Sequence, residues 1–84
     1  MIVIYGADWC KWCKEAKALA ESRDLPYVWK NVENLEVFDE MKSKVPEGTT
    51  KIPQIFWHDR HVGGYDAFMS EIENTAGGFG DGKI

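Results

Sequence analysis

Cysteine is scarce in this chain: 84 residues contain two, Cys10 and Cys13. They stand three apart, so a bridge between them closes a very short loop. Stabilisation by a crosslink grows with the loop it closes, which argues against a structural staple. Two chemical uses remain, a redox couple or half of a metal site. Basic residues are also short, with Lys+Arg 10 against Asp+Glu 14 and a net charge of −4. Phosphate backbones want a basic face, so nucleic acid is not expected as the main partner. Long apolar runs are missing as well, and none approaches the length of a membrane span. No membrane partner is expected. The first residues, Met1-Ile2-Val3-Ile4-Tyr5, lack a basic leader, so neither a signal peptide nor a transit peptide is expected. The expected setting is reducing and cytoplasmic.

What is present fits one small folded domain. Hydrophobic residues make up 44% and charged residues 29%, an ordinary balance for a chain that buries a single core. Ile2 to Tyr5 is a short apolar run ended by Gly6 and reads as a buried strand. Trp12, Ala16, Leu19 and Ala20 then fall on one helical face, with Lys11, Lys14, Lys17 and Glu21 outward or at its edge. Pro26 to Val32 is rich in aromatic and β-branched residues and reads as a second strand. Leu35, Phe38, Met41 and Val45 mark a second helix that ends before Pro46 and Gly48. Gln54 to Trp57 is a third strand, and His61-Val62 pairs with it through the turn His58-Asp59-Arg60. Gly63-Gly64 breaks the chain. Tyr65, Phe68, Met69, Ile72 and Ala76 form the stripe of a third helix. The domain therefore covers 1–76, and the Gly-rich residues 77–84 read as a flexible tail.

The expected architecture is α/β, in the order β-α-β-α-β-β-α. A β-α-β unit needs a crossover, so the first two strands should be parallel. The last two are joined by a tight turn and should be antiparallel. The result is a mixed four-stranded sheet with three helices on its faces.

Cys10 follows a strand and a short loop and opens a helix. Unpaired amides and the positive end of the helix dipole lie there. Both favour thiolate, the attacking species. Cys10 is therefore the expected nucleophile. Cys13, one turn further in, is the expected resolving thiol. Lys11 and Lys14 should support the Cys10 thiolate, while Asp8 should oppose them or cap the helix. The metal alternative joins Cys10, Cys13, His58 and His61 into a Cys2His2 zinc set. Its histidines are spaced more tightly than usual and lie on a polar turn, so no metal is expected.

With these pieces in order, the sequence resembles the glutaredoxins from Met1 to about Ala76. The matching segments are Tyr5-Gly6, Cys10-Lys11-Trp12-Cys13, Lys51-Ile52-Pro53-Gln54-Ile55-Phe56 and Val62-Gly63-Gly64-Tyr65-Asp66. The resemblance implies a thioredoxin-like fold and a dithiol oxidoreductase with glutathione as reducing co-substrate. It implies a cis bond before Pro53, turning the Ile52 backbone toward the cysteines to pair with a bound peptide. It also implies that Gly64 and the amides of Tyr65 and Asp66 receive the γ-glutamyl carboxylate of glutathione. Lys11 and Trp12 complete the implied binding set. Disulfide-bearing proteins are the implied partners, with ribonucleotide reductase a member of that class by resemblance alone, and a monomer is expected.

The chain also departs from the family pattern. Lys11 replaces the usual proline and Trp12 the usual tyrosine. Ala7 stands where many members have a cation, and Ala67 where many have Asp. Trp9 before the first cysteine is similar to thioredoxins. Two alternatives follow: a redoxin recycled by a flavoprotein reductase, and a zinc-holding adaptor.

Overall fold

The computed structural model describes residues 1–49 and 51–76; the tail expected at 77–84 lies outside the described residues. The elements are β1 (Ile2–Gly6), α1 (Lys11–Ser22), β2 (Tyr27–Asn31), α2 (Leu35–Lys44), β3 (Gln54–Trp57), β4 (Arg60–Gly63) and α3 (Tyr65–Ala76). The order is the expected one. The strands form one sheet, β2-β1-β3-β4. β1 and β2 are parallel. β1 pairs antiparallel with β3, and β3 with β4.

Alternation along β1 builds two cores. Ile2 and Ile4 point to one face and join Ile55, Ala16, Ala20, Phe68 and Ile72, so α1 and α3 cover that side. Val3 and Tyr5 point to the other, where Tyr5 joins Met41, Val45 and Phe56 under α2. Period-two side-chain direction is the cause. Fully burying one large apolar side chain such as Ile4 or Phe68 stabilises by about 1.5–3 kcal/mol.

Two helical stripes differ from expectation. On α1 the buried residues are Cys13, Ala16 and Ala20, while Trp12 is 52% exposed. Cysteine takes the core position and tryptophan the neighbouring open one. On α2, Leu35 is 77% exposed; the stripe is carried by Val37, Phe38, Met41 and Val45. Leu35 is the first residue of α2, and Asn34 caps it by accepting from the amides of Glu36 and Val37. Such a cap contributes about 1 kcal/mol.

The β3–β4 turn is tighter than expected. His58 and Asp59 both have positive φ, 55° and 64°, the geometry of a two-residue turn whose twist matches the strands. Arg60 thereby belongs to β4. Its guanidinium meets Glu71 of α3 at 2.6 Å.

The register decides where the loops meet. Gly6 of β1 lies opposite Asn31 of β2, and Tyr5 lies opposite Gln54, the first residue of β3. The loop after β1, the loop after β2 and the segment before β3 therefore converge at one end of the sheet. Ligands of open α/β sheets bind at such strand ends.

Candidate active site

Cys10 is the N-cap of α1. Its backbone is extended (φ −88°, ψ 117°), and its Sγ accepts the Cys13 amide at 3.3 Å. Its own amide donates to Ala7 O at 3.1 Å, closing the turn after β1. Asp8 is exposed, and the capping role open to it falls to the cysteine. Sγ thus faces the unpaired amides of the helix start.

Cys13 is fully buried, whereas Cys10 keeps 9% of its surface exposed. Cys13, one turn further into α1, is the more deeply seated of the two. Burial, above all, pushes the Cys13 thiol up to about 12, and the hydrogen bond and charge of Cys10 push the same way. A hydrogen bond with the Ala7 backbone and the Lys17 ammonium pull it back. The room for Cys13 comes from Gly6. A Cβ there would lie 2.6 Å from Cys13 Sγ and 2.8 Å from the Trp29 ring, closer than side chains can approach.

The bond between Ile52 and Pro53 is cis. Ile52 O lies 3.9 Å from Cys10 Sγ and accepts from the thiol. Pro53 is buried, and Gln54 behind it is a buried polar residue with its bonding met. Its amide donates to Lys51 O at 3.0 Å, and its carbonyl lies 2.7 Å from His61 Nε2.

The Gly-Gly segment reaches the same end of the sheet. Gly63 has φ 121°, a conformation that favours glycine. A methyl on Gly64 would sit 3.8 Å from Pro53 O, so this segment and the cis-proline loop are in contact range. The first bond of the α3 ladder runs from the Phe68 amide to Gly64 O at 3.0 Å. The amides of Tyr65, Asp66 and Ala67 precede that ladder. Tyr65 meets Trp12 across the site, with ring centroids 5.2 Å apart. Asp66 is exposed in the first turn of α3.

Lys11 holds its ammonium over the Trp12 ring at 5.4 Å. Trp9 is 70% exposed, and its Nε1 donates to Glu33 at 3.2 Å. Ala7 is fully buried against the cysteines.

The zinc set is not brought together. The His58 amide donates to Met1 O at 3.0 Å, and its Nδ1 lies 3.1 Å from the Met1 amine. Met1 precedes β1, whereas the cysteines follow it. The length of the strand separates His58 from the cysteines, and His61 Nε2 is taken by the Gln54 carbonyl at 2.7 Å.

Three residues lie near the site in roles that the sequence reading did not give them: Gly6, Trp29 and Lys17. Gly6 left a signal, a glycine closing a strand four residues before a cysteine pair. Lys17 left its spacing of four from Cys13; Trp29 left none, because its place beside them depends on the β1–β2 register.

A search for known relatives agrees with this geometry. The Glutaredoxin family model matches residues 2–62. The chain belongs to the glutaredoxin family. Glutaredoxin 1 of Escherichia coli K12 is 30% identical over 79 residues, covering 87% of this chain and 93% of that protein. Glutaredoxin 1 of Rickettsia prowazekii is 38% identical over 66 residues, covering 77% and 70%. Glutaredoxin-C8 of rice is 30% identical over 79 residues, and the match spans 57% of its longer chain. Among solved structures, reduced E. coli glutaredoxin has a TM-score of 0.76 at 27% identity, covering 89% of this chain and 95% of that one. Glutaredoxin 1 of Francisella tularensis has a TM-score of 0.72 at 25% identity, covering 89% and 94%. Membership makes the chain a thiol–disulfide oxidoreductase of the thioredoxin-like fold, with glutathione as reducing co-substrate and disulfide-bearing proteins as partners. Among the described residues, no helix is long and apolar enough to cross a membrane.

Proposed function

We propose a dithiol mechanism in which Cys10 attacks and Cys13 resolves. The Cys10 thiolate attacks one sulfur of a substrate disulfide. That S–S bond breaks, a Cys10 mixed disulfide forms, and the departing thiolate takes a proton. Cys13 gives up its proton and attacks Cys10 Sγ, forming the Cys10–Cys13 disulfide and releasing the second substrate thiol. Two glutathione molecules then restore the dithiol and leave as glutathione disulfide. The observation that carries this reading is Cys10 itself, capping α1 with Sγ 3.9 Å from Ile52 O and the buried Cys13 one turn behind.

The binding roles follow from the same surroundings. The Ile52 backbone, presented ahead of Pro53, pairs with the cysteinyl part of a bound peptide. Gly64 and the amides of Tyr65 and Asp66 receive the γ-glutamyl carboxylate, and the Asp66 side chain meets the amino group. Trp12 forms a wall with Tyr65. Lys11 supplies the cation that Ala7 cannot. The exposed Trp9 contacts protein substrates, of which ribonucleotide reductase is one candidate. Both thiols and every proposed contact come from one chain, so a monomer suffices. A reducing compartment, the cytoplasm, suits a pair that must return to the dithiol.

A second reading rests on Ala7 and Trp9: recycling by a flavoprotein reductase in place of glutathione. The test is one reduction assay run twice. One run supplies glutathione, glutathione reductase, NADPH and a small mixed disulfide. The other supplies thioredoxin reductase and NADPH. Turnover in the first is expected, and turnover only in the second would overturn glutathione recycling. Cys13→Ser is expected to keep part of the activity on glutathione mixed disulfides and to lose it on protein disulfides.

A further inference from the structure

Lys17 lies four residues beyond Cys13 on α1, the spacing that puts two side chains on one helical face. It is half-buried, and its Nζ sits 4.1 Å above the centroid of the Trp29 ring. Trp29 packs on the cluster of Ala7, Cys10 and Cys13. Its ring also closes the space at Gly6, where a Cβ would touch both the indole and Cys13 Sγ. One indole therefore bounds the resolving thiol and holds a cation. An ammonium over an indole face is a favourable pairing, stronger where water is excluded.

We propose that Lys17, clamped on Trp29, is a positioning residue that sets the rate at which Cys13 resolves the mixed disulfide on Cys10. The inference rests on the reading of Cys10 as attacking and Cys13 as resolving thiol. Resolution needs a thiolate at a buried sulfur. In that step Cys13 loses a proton to solvent, its sulfur bonds to Cys10 Sγ, and the Cys10–substrate bond breaks as the substrate thiolate leaves. Negative charge thus appears on Cys13 in a place that disfavours it. Lys17 is the cation that offsets this, in line with its opposing effect on the Cys13 thiol. The titratable or charged groups facing Cys13 are Cys10 and Lys17 of the α1 region. Gly6 and Ala7 after β1, Trp29 of β2 and Ile52 of the cis-proline loop are uncharged. Among the described residues, Lys17 is the cation whose charge favours the Cys13 thiolate.

The test uses the whole chain, fully reduced, mixed with excess 2,2′-dithiodipyridine. Attack by Cys10 releases one thiopyridone, and resolution by Cys13 releases the second. Both are read by absorbance in stopped flow across a range of pH. Lys17→Met is expected to slow the second phase about threefold at pH 7 and move its pH profile upward, with the first phase unchanged. Lys17→Arg keeps a cation over the ring and is expected within about twofold of the parent rate. A second phase in Lys17→Met within twofold of the parent would overturn the proposal. So would equal slowing by Lys17→Arg, since charge would then not be the cause, or equal slowing of both phases. Lys17→Gln carries the same test if Lys17→Met folds poorly. Cys13→Ser is expected to keep the fast first release and Cys10→Ser to lose it; a fast release kept by Cys10→Ser and lost by Cys13→Ser would overturn the underlying assignment of the thiols instead. No glutathione is present, so the outcome is independent of how the dithiol is recycled.

Discussion

The two faces of the sheet are built differently. Under α1 and α3 the contacts are apolar, and the helix residues nearest β1 are small: Cys13, Ala16 and Ala20. Small side chains let α1 approach closely, and Gly6 lets Cys13 seat against the strand end. Under α2 a polar network reaches the core. Tyr5 is buried, its hydroxyl donates to Glu40, and Glu40 also takes the Lys30 ammonium at 2.7 Å. Lys44 stands 3.9 Å from the same carboxylate. The first face holds the reacting pair and tolerates little change in volume. The second anchors a helix, and its Tyr5–Glu40–Lys30 network makes no hydrogen bond to either cysteine. Loss of function and loss of stability should therefore separate by face.

The largest expected effect is at the thiol that leaves its surface open. Cys10→Ser should reduce turnover to below about one hundredth, because a hydroxyl at neutral pH supplies almost no nucleophilic anion. Both coupled assays would record it, while urea unfolding should change little. Next comes Gly6→Ala. Its methyl meets Cys13 and Trp29 at under 3 Å, and such overpacking costs about 1–3 kcal/mol. Turnover should fall with it, as Cys13 shifts.

On the opposite face, Tyr5→Phe should cost about 1 kcal/mol at neutral pH and leave turnover near the parent value. If it lowers turnover as far as Gly6→Ala, the separation by face fails. The same variant tests a pH dependence. The Lys30 hydrogen bond, then that of Tyr5, holds the Glu40 carboxyl below its ordinary value of 4.5. The unfolded chain then binds a proton on Glu40 more readily than the folded one. The associated stability is present above the ordinary value and lost as the pH falls through the depressed one. Urea midpoints taken at neutral and acid pH should show that loss in the parent and less of it in Tyr5→Phe. The smallest effect is expected from Trp12→Ala. Losing the wall shared with Tyr65 should raise the KM for a glutathione mixed disulfide about threefold, with kcat retained.

Much of the molecule was legible beforehand, because its signals are local. The short apolar run Ile2–Tyr5, helical stripes before Pro46 and after Gly64, and turn residues at His58-Asp59 specify seven elements in order. Strand handedness and loop length then leave few ways to connect them. Cys10 at the opening of a helix and Cys13 one turn further in follow from their place after β1 and three residues of spacing. Exposure of Leu35 and Trp12 was not legible, since an apolar side chain at a helix start can face core or solvent equally. Asp8 looked like a better cap than cysteine by residue type, and only the path of the Ala7–Cys10 turn gave the position to Cys10.

The sequence by itself thus determined the element order and the place of the cysteine pair at the start of α1, and it pointed to Ile52-Pro53 and Gly63-Gly64 as neighbours. The tertiary structure alone decided the surroundings of Cys13: Gly6 making room, Trp29 closing the wall, and Lys17 held over that wall. Those residues come from β1, β2 and α1, far apart in the chain. They meet because parallel pairing sets Gly6 against Asn31 and lays α1 across both strands. Long-range register and packing carry that information, and no local pattern of residues contains it.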